Sequence, residues 1–201
     1  MNKLMSNEKR GAVRCNQDFL YSEGDKWCGY GGYCSTKGTI NRCNIDCANE
    51  GIGIAINDSL SKSFHLEYSK EIMESFKNES SLDIKEQFRY LQQKYGYKKE
   101  TDLYRNMMSC SLELSKWRLE ITPTKQVRGG WNGIGKKFHI LLKSNSPTEL
   151  IGAAARFAFT RCQGKGRDIV VNALFPNGEP DSLERYLESV DINYQNWLIS
   201  A

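Results

Sequence analysis

The segment 146–162 (SPTELIGAAARFAFTRC) constrains this chain more than any other. Ser146, Pro147 and Glu149 stand in the order of a helix cap, an N1 proline and an N3 glutamate. The spacing therefore predicts a helix running to about Cys162. Beyond its first turn the segment is apolar on nearly every side, and the one clean polar stripe is Glu149, Arg156 and Thr160. Such a helix cannot lie on a surface with one face wet. Most of its circumference must be packed, which makes residues 147–162 the central core helix of the fold.

The remaining pattern says what surrounds it. Ile52, Ile56 and Leu60 recur at helical spacing over 51–61. Ile84, Phe88, Leu91 and Tyr95 do so over 83–95, with Asp83 and Glu86 at the start and Gly96 as the stop. Thr101 can cap a short helix carrying Leu103 and Met107. The period then changes to two. Cys110, Leu112 and Leu114, then Trp117, Leu119 and Ile121, alternate with polar residues, which predicts a hairpin ended by Pro123. Residues 126–135 (QVRGGWNGIG) read as a glycine-rich loop, and 138–142 and 169–174 as further strands. Asp181 and Glu184 open a last helix with Leu183, Tyr186, Leu187 and Val190 inward. Residues 1–50 are Cys- and Gly-rich and weakly periodic, and read as short strands and loops. The expected architecture is α+β, with antiparallel sheet packed against helices around the central one.

A chain of 201 residues has room for one substantial core, and no repeat or linker divides it, so a single domain over 1–201 is expected. With 39% hydrophobic and 11% aromatic residues and a net charge of only +4, the chain is too apolar and too nearly neutral for disorder. The most apolar stretch, 150–159, is interrupted by Arg156 and far short of the roughly 20 residues that a membrane helix needs. The N-terminus carries charge without an apolar core, so the cytoplasm is the expected compartment. Its reducing conditions suit seven cysteines left as thiols.

The +4 conceals an uneven distribution. Residues 101–167 carry 12 Lys and Arg against 4 acids, whereas 168–201 carry one Arg against six acids. The basic middle, with the aromatic and glycine run Trp27–Tyr33, leaves single-stranded nucleic-acid binding as an alternative reading. No RNA-binding motif accompanies it, and nucleic acid is not the expected partner.

Motifs for chemistry fall short. Cys15, Cys28, Cys34, Cys43 and Cys47 lack a knuckle pair, and only Cys43 and Cys47 have zinc-ligand spacing, so no metal is expected. Residues 130–137 (GWNGIGKK) nearly match a phosphate-binding loop. Lys137 occupies the position where Ser or Thr must meet magnesium, and a strand comes next instead of a helix. His65 and His139 are the two histidines; a Cys110–His139 dyad is conceivable but unsupported by any motif. From the residues alone no active site is visible, and no cofactor is expected.

One likeness goes further. KYGYKKETDLYRNMMSCSLEL (94–114), LEITPTKQVRGGWNG (119–133) and the central helix segment 146–162 resemble the immunity proteins of bacterial contact-dependent growth inhibition. The features that carry it are Tyr95-Gly96-Tyr97-Lys98, Asn106-Met107 followed by Cys110, Ile121-Thr122-Pro123-Thr124, Trp131, and Ile151-Gly152-Ala153-Ala154 ending in Arg161-Cys162. Residues 51–63 (GIGIAINDSLSKS) are similar to the family's leading helix. Residues 1–50 and 165–201, the second an acidic C-terminal segment, lie outside the likeness.

The resemblance implies an α+β, non-enzymatic, cytoplasmic protein. Its partner would be the C-terminal toxin domain of a large exported protein delivered by neighbouring cells. Such toxins are expected to be nucleases, often acting on tRNA. Two surfaces are then candidates for toxin binding. Glu179, Asp181, Glu184, Glu188 and Asp191 would oppose a basic substrate cleft. Arg128 and Trp131, on the 126–135 loop, belong to the residue types that most often anchor interfaces.

Overall fold

A computed structural model describes residues 8–28, 32–35, 41–66, 86, 88–128 and 130–199. The strands are β1 (Lys9–Cys15), β2 (Phe19–Cys28), β3 (Gly32–Ser35), β4 (Asn41–Asn44), β5 (Phe64–Leu66), β6 (Met108–Leu114), β7 (Arg118–Val127), β8 (Gly130–Gly133) and β9 (Ile140–Lys143). The helices are α1 (Asn49–Ser61), α2 (residues 88–95), α3 (Glu100–Tyr104), α4 (Thr148–Ala158), α5 (Arg167–Leu174) and α6 (Leu183–Ser189). The sheet runs β3-β2-β1-β6-β7-β8, with β4 and β5 also on β2 and β9 also on β7. Its described pairs are antiparallel except the short β2–β5 ladder.

Alternation along the strands creates two different faces. Val13 and Cys15 on β1, Leu20 on β2, Met108, Cys110 and Leu112 on β6, and Leu119 and Ile121 on β7 point to one side and are buried. Helices α1 and α4 lie on that side, and α6 packs on α4. The central helix is covered as its pattern requires: every residue from Leu150 to Thr160 is buried. Glycine lets α1 and α4 touch through their backbones. A Cβ at Gly152 would stand 1.7 Å from the Asn49 carbonyl oxygen, and one at Gly53 would stand 1.8 Å from that of Thr148.

The polar stripe of α4 is largely covered too, with Glu149 its exposed member. Arg156 is only 8% exposed. It donates from Nε to Asn49 Oδ1 at 3.0 Å, from Nη1 to the Ile45 carbonyl at 3.3 Å, and from Nη2 to the Cys47 carbonyl. It thus pins the turn that leads into α1.

The opposite face holds a smaller aromatic core. Phe19, Tyr21, Leu91, Tyr97, Leu103 and Met107 are buried there, with Phe88, Tyr95, Tyr104 and Trp131 against them. Gly96 ends α2 as expected, at φ +72°, in the left-handed region that favours glycine. Asp83 and Ile84 lie outside the described residues.

Several expectations are corrected. Residues 169–174 are helical, inside α5, not a strand. Val170, Val171 and Leu174 face the core while Ile169 is exposed, so packing at helical spacing overrides the β-branched composition. Pro123 does not end its strand. It pairs opposite Cys110, and its carbonyl accepts from Ile134 N on the other edge, at the junction of β8 and β9, so its missing N–H breaks no β6 rung. Residues 126–135 form a hairpin across β7 and β8 rather than a free loop, with Gln126 opposite Trp131. Ser146 is buried and does not cap α4, which begins at Thr148 after Pro147. Lys99, not Thr101, precedes α3. Ser182, not Asp181, caps α6 by accepting from Arg185 N at 3.2 Å, and Val190 is exposed. No described helix is long and apolar enough to cross a membrane.

Candidate functional site

The second sheet face carries charge where the first carries aliphatics. Arg10, Ala12 and Arg14 on β1 alternate with the core residues, as do Tyr21, Glu23 and Asp25 on β2, Ser109, Ser111 and Glu113 on β6, and Glu120 and Thr122 on β7. The α2–α3 core covers one end of this face. The rest forms an open cavity of about 460 Å³ whose wall includes Arg14, Asp25, Glu113, Glu120 and Trp131.

Arg14 is the centre of that wall. Its Nη1 donates to Tyr21 Oη at 3.1 Å and to the Glu23 carboxylate, whose side chain is 9% exposed. Its guanidinium lies 4.9 Å from the Trp131 ring centroid. The β7–β8 hairpin therefore curls over the sheet and stacks its tryptophan on β1. Burial disfavours the Arg14 charge, but Tyr21 and Glu23 outweigh it and hold the pKa above the ordinary value. Burial pushes the Tyr21 hydroxyl up; it remains an O–H and donates to Met107 Sδ at 3.7 Å.

Farther along, Glu120 accepts from Arg118 Nη2 at 3.0 Å and pairs with His139 Nδ1 at 2.6 Å. His139 Nε2 meets the Ile134 carbonyl at 2.9 Å, which ties the chain leaving β8 to β7. Asp25 differs from its neighbours. Burial first, and then the Glu23 charge, raise its carboxyl to about 6.

The two sequence-predicted surfaces are not brought together. Trp131 belongs to the polar sheet face, and exposed Arg128 sits at the tip of its hairpin. The acids lie on the α4 side, and their charge is partly used internally. Glu179 pairs with Arg167 and Asp181 with Arg185. Glu188 accepts from Tyr194 Oη at 3.0 Å. Glu184 and Asp191 are exposed and make no ion pair among the described residues. Sequence reading missed Arg14, Glu23 and Asp25. Their signal was the strict alternation of 10–15 and 19–25, which the Cys- and Gly-rich composition obscured.

Cys15, Cys43, Cys47, Cys110 and Cys162 are free. Cys110 Sγ lies 3.6 Å from Cys162 Sγ on the helical side, on the other face from His139. Burial pushes the thiols of Cys15 and Cys110 up and that of Cys43 to about 12, so they stay protonated and weakly nucleophilic. No group of three or more metal-ligating side chains occurs among the described residues.

Comparison with known proteins places this architecture. Immunity protein CdiI-YPIII of Yersinia pseudotuberculosis serotype O:3 is 29% identical over 175 residues, covering 76% of this chain and 94% of that protein. A Neisseria meningitidis protein of unknown function shares the fold with a TM-score of 0.66 at 24% identity, covering 81% of this chain and all of that one. So does a CdiA-CT/CdiI toxin and immunity complex from Yersinia pseudotuberculosis, with a TM-score of 0.64 at 22% identity, covering 79% of this chain and 99% of the matched one. Residues 9–162 match the family described as CdiI, CDI immunity protein, a span that takes in the sheet, α1, α4 and the Trp131 hairpin. This chain belongs to the CDI immunity protein family.

Proposed function

We propose that this protein binds and neutralises the C-terminal toxin domain of a cognate CdiA-type exported protein, in the cytoplasm of the cell that makes it. The family match over residues 9–162 is the observation that carries this reading. The toxin is read as a nuclease, with RNA as its substrate. The protein acts by occupancy rather than by chemistry, through an interface formed in advance and released slowly.

Of the two candidate surfaces, the Trp131 hairpin and the polar face beneath it suit a partner better. They present a tryptophan, buried charge and a concave wall, the usual make-up of an interface anchor. The acids Glu179 and Asp181 already have arginine partners, which weakens the case for imitation of nucleic acid by the C-terminal segment.

The test is co-expression with the C-terminal domain of the exported protein encoded alongside. Protected growth and a co-purifying complex are expected. Toxicity undiminished by this protein, with no complex formed, refutes the reading. In a cleavage assay with total tRNA, the isolated toxin domain is expected to degrade RNA and to stop on addition of this protein. A toxin domain that leaves RNA and DNA intact refutes the nuclease part alone.

A further inference from the structure

Most carboxylates around the polar cavity stand beside an arginine. Arg14 serves Glu23, Arg10 lies 3.5 Å from both Glu8 and Glu113, and Arg118 serves Glu120, which also meets His139 Nδ1 at 2.6 Å. Asp25 remains. It lines the cavity, yet its carboxyl makes no hydrogen bond or ion pair among the described residues. A carboxylate withdrawn from water without a partner is costly, and proteins either neutralise it with a proton or supply a cation.

The wall beside it is also incomplete. Trp131 Nε1 and Arg14 Nε are buried without an acceptor among the described residues. Such groups are uncommon in a finished interior. Among the described residues the wall built from β1, β2 and the β7–β8 hairpin thus holds a carboxylate without a direct cation and two donors without acceptors. A peptide segment with a basic side chain brings a cation and backbone carbonyls together. An inorganic cation brings no acceptor, and a phosphate would add negative charge beside Glu23 and Asp25.

We propose that this cavity is the anchor of the toxin interface, where a lysine or arginine on a loop of the toxin domain pairs with Asp25 while its backbone carbonyls meet the Trp131 and Arg14 donors. This rests on the immunity reading above and adds the place and the chemistry of the contact. At about 460 Å³ the cavity is in the range of sites that enclose a small ligand, ample for one long side chain and the backbone that carries it. Among the described residues the charged groups facing Asp25 are Glu23 on its own strand and Arg10 and Arg14 on β1. Glu113, Glu120 and His139 stand farther along the wall.

The experiment measures binding of the purified, catalytically inactivated toxin domain to the full-length protein, its Asp25→Asn and Asp25→Ser variants, and Glu184→Gln on the other side of the molecule. Removing one partner of a desolvated pair acts mainly on dissociation. Asp25→Asn is expected to weaken binding roughly thirtyfold or more, and Glu184→Gln to leave it unchanged. Protons compete with the basic side chain for Asp25, so wild-type affinity falls as pH drops through about 6 while that of Asp25→Asn does not follow. Asp25→Ser supplies the same acid comparison where Asp25→Asn folds poorly. A wild type that binds tightly while both Asp25 variants bind within threefold of it overturns this proposal alone, as does a parallel acid loss in wild type and variant. A wild type that does not bind at all overturns the immunity reading itself.

Discussion

Gly152→Ala sets two physical effects against each other. Glycine inside a helix is destabilising by roughly 1 kcal/mol relative to alanine, so propensity alone predicts a gain. The geometry predicts the reverse. The new Cβ would stand 1.7 Å from the Asn49 carbonyl oxygen and 2.9 Å from Gly53 N. Carbon and oxygen do not approach within 3.0 Å, so α1 and α4 must separate by more than an ångström. The blocking atoms are backbone, which no rotamer change can move. Separation would also disturb Ile52 and Ile56 on α1 and Ala153 and Ala155 on α4, all buried in the main core. Overpacking of a well-filled core costs about 1–3 kcal/mol and more when backbone must shift. With the backbone clash placing the cost at or just above the top of that range, we expect a net loss of about 2 kcal/mol, a fall in melting temperature of roughly 4–8 °C for a domain of this size. Urea unfolding followed by tryptophan fluorescence measures it, with an unchanged slope as the check on two-state behaviour. A variant that melts at or above the wild-type temperature refutes the claim that backbone contact sets the α1–α4 distance.

Three further outcomes are expected. Arg156→Met leaves the Ile45 and Cys47 carbonyls without their donor and should cost about 3 kcal/mol, with faster amide exchange confined at first to residues 45–53; unaltered exchange there would refute the clamp. Arg14→Met strands the Glu23 carboxylate and should cost about 3–5 kcal/mol in urea melts, much of it recovered in the Arg14→Met, Glu23→Gln double variant; additive losses would show that the pair is not coupled. Asp25 has a carboxyl raised from 3.8 to about 6 in the folded state, so the native protein holds a proton there that the unfolded chain has lost. Stability conferred at this site therefore falls as pH rises from about 4 to 6, by about 2–3 kcal/mol, and Asp25→Asn should flatten that part of the pH–stability curve and melt higher at pH 7; a lower melt would refute it.

The legible part of the fold came from long, single-period patterns. The central helix announced itself because a helix buried on most sides cannot hide its composition, and α1 and the β6–β7 hairpin were found by the same logic. Boundaries failed where short-range rules met tertiary demands. Ser146 has the position of a cap, yet it is buried and the chain turns through Pro147 instead. Residues 169–174 carry strand-forming valines, but α5 places them on the core at helical spacing. The polar cavity was illegible for a different reason. Arg14, Glu23 and Asp25 look like ordinary surface charges, and only the antiparallel register that sets Arg14 opposite Tyr21 and Ala12 opposite Glu23 reveals a shared wall.

That wall is best understood by asking what stability alone would have placed at position 25. A serine or asparagine there would remove the cost of a half-covered carboxylate next to Glu23 and would leave the strand pairing untouched. Local departures from good packing chemistry concentrate where a protein meets something else, because the missing partner is the part that completes them. The fold supports this division of labour. The helical side is aliphatic, and its buried guanidinium, Arg156, has an acceptor for each of its three nitrogens, although Ser146 Oγ ahead of α4 is also buried without a partner among the described residues. Among the described residues the sheet side keeps an unpaired carboxylate and two unpaired donors beside a tryptophan carried on a hairpin. If the cavity were structural, Asp25→Asn should improve stability at neutral pH at no expense to binding. If it anchors the toxin domain, the same substitution should raise the melting temperature and weaken the complex, and that opposition is the signature by which the two roles are told apart.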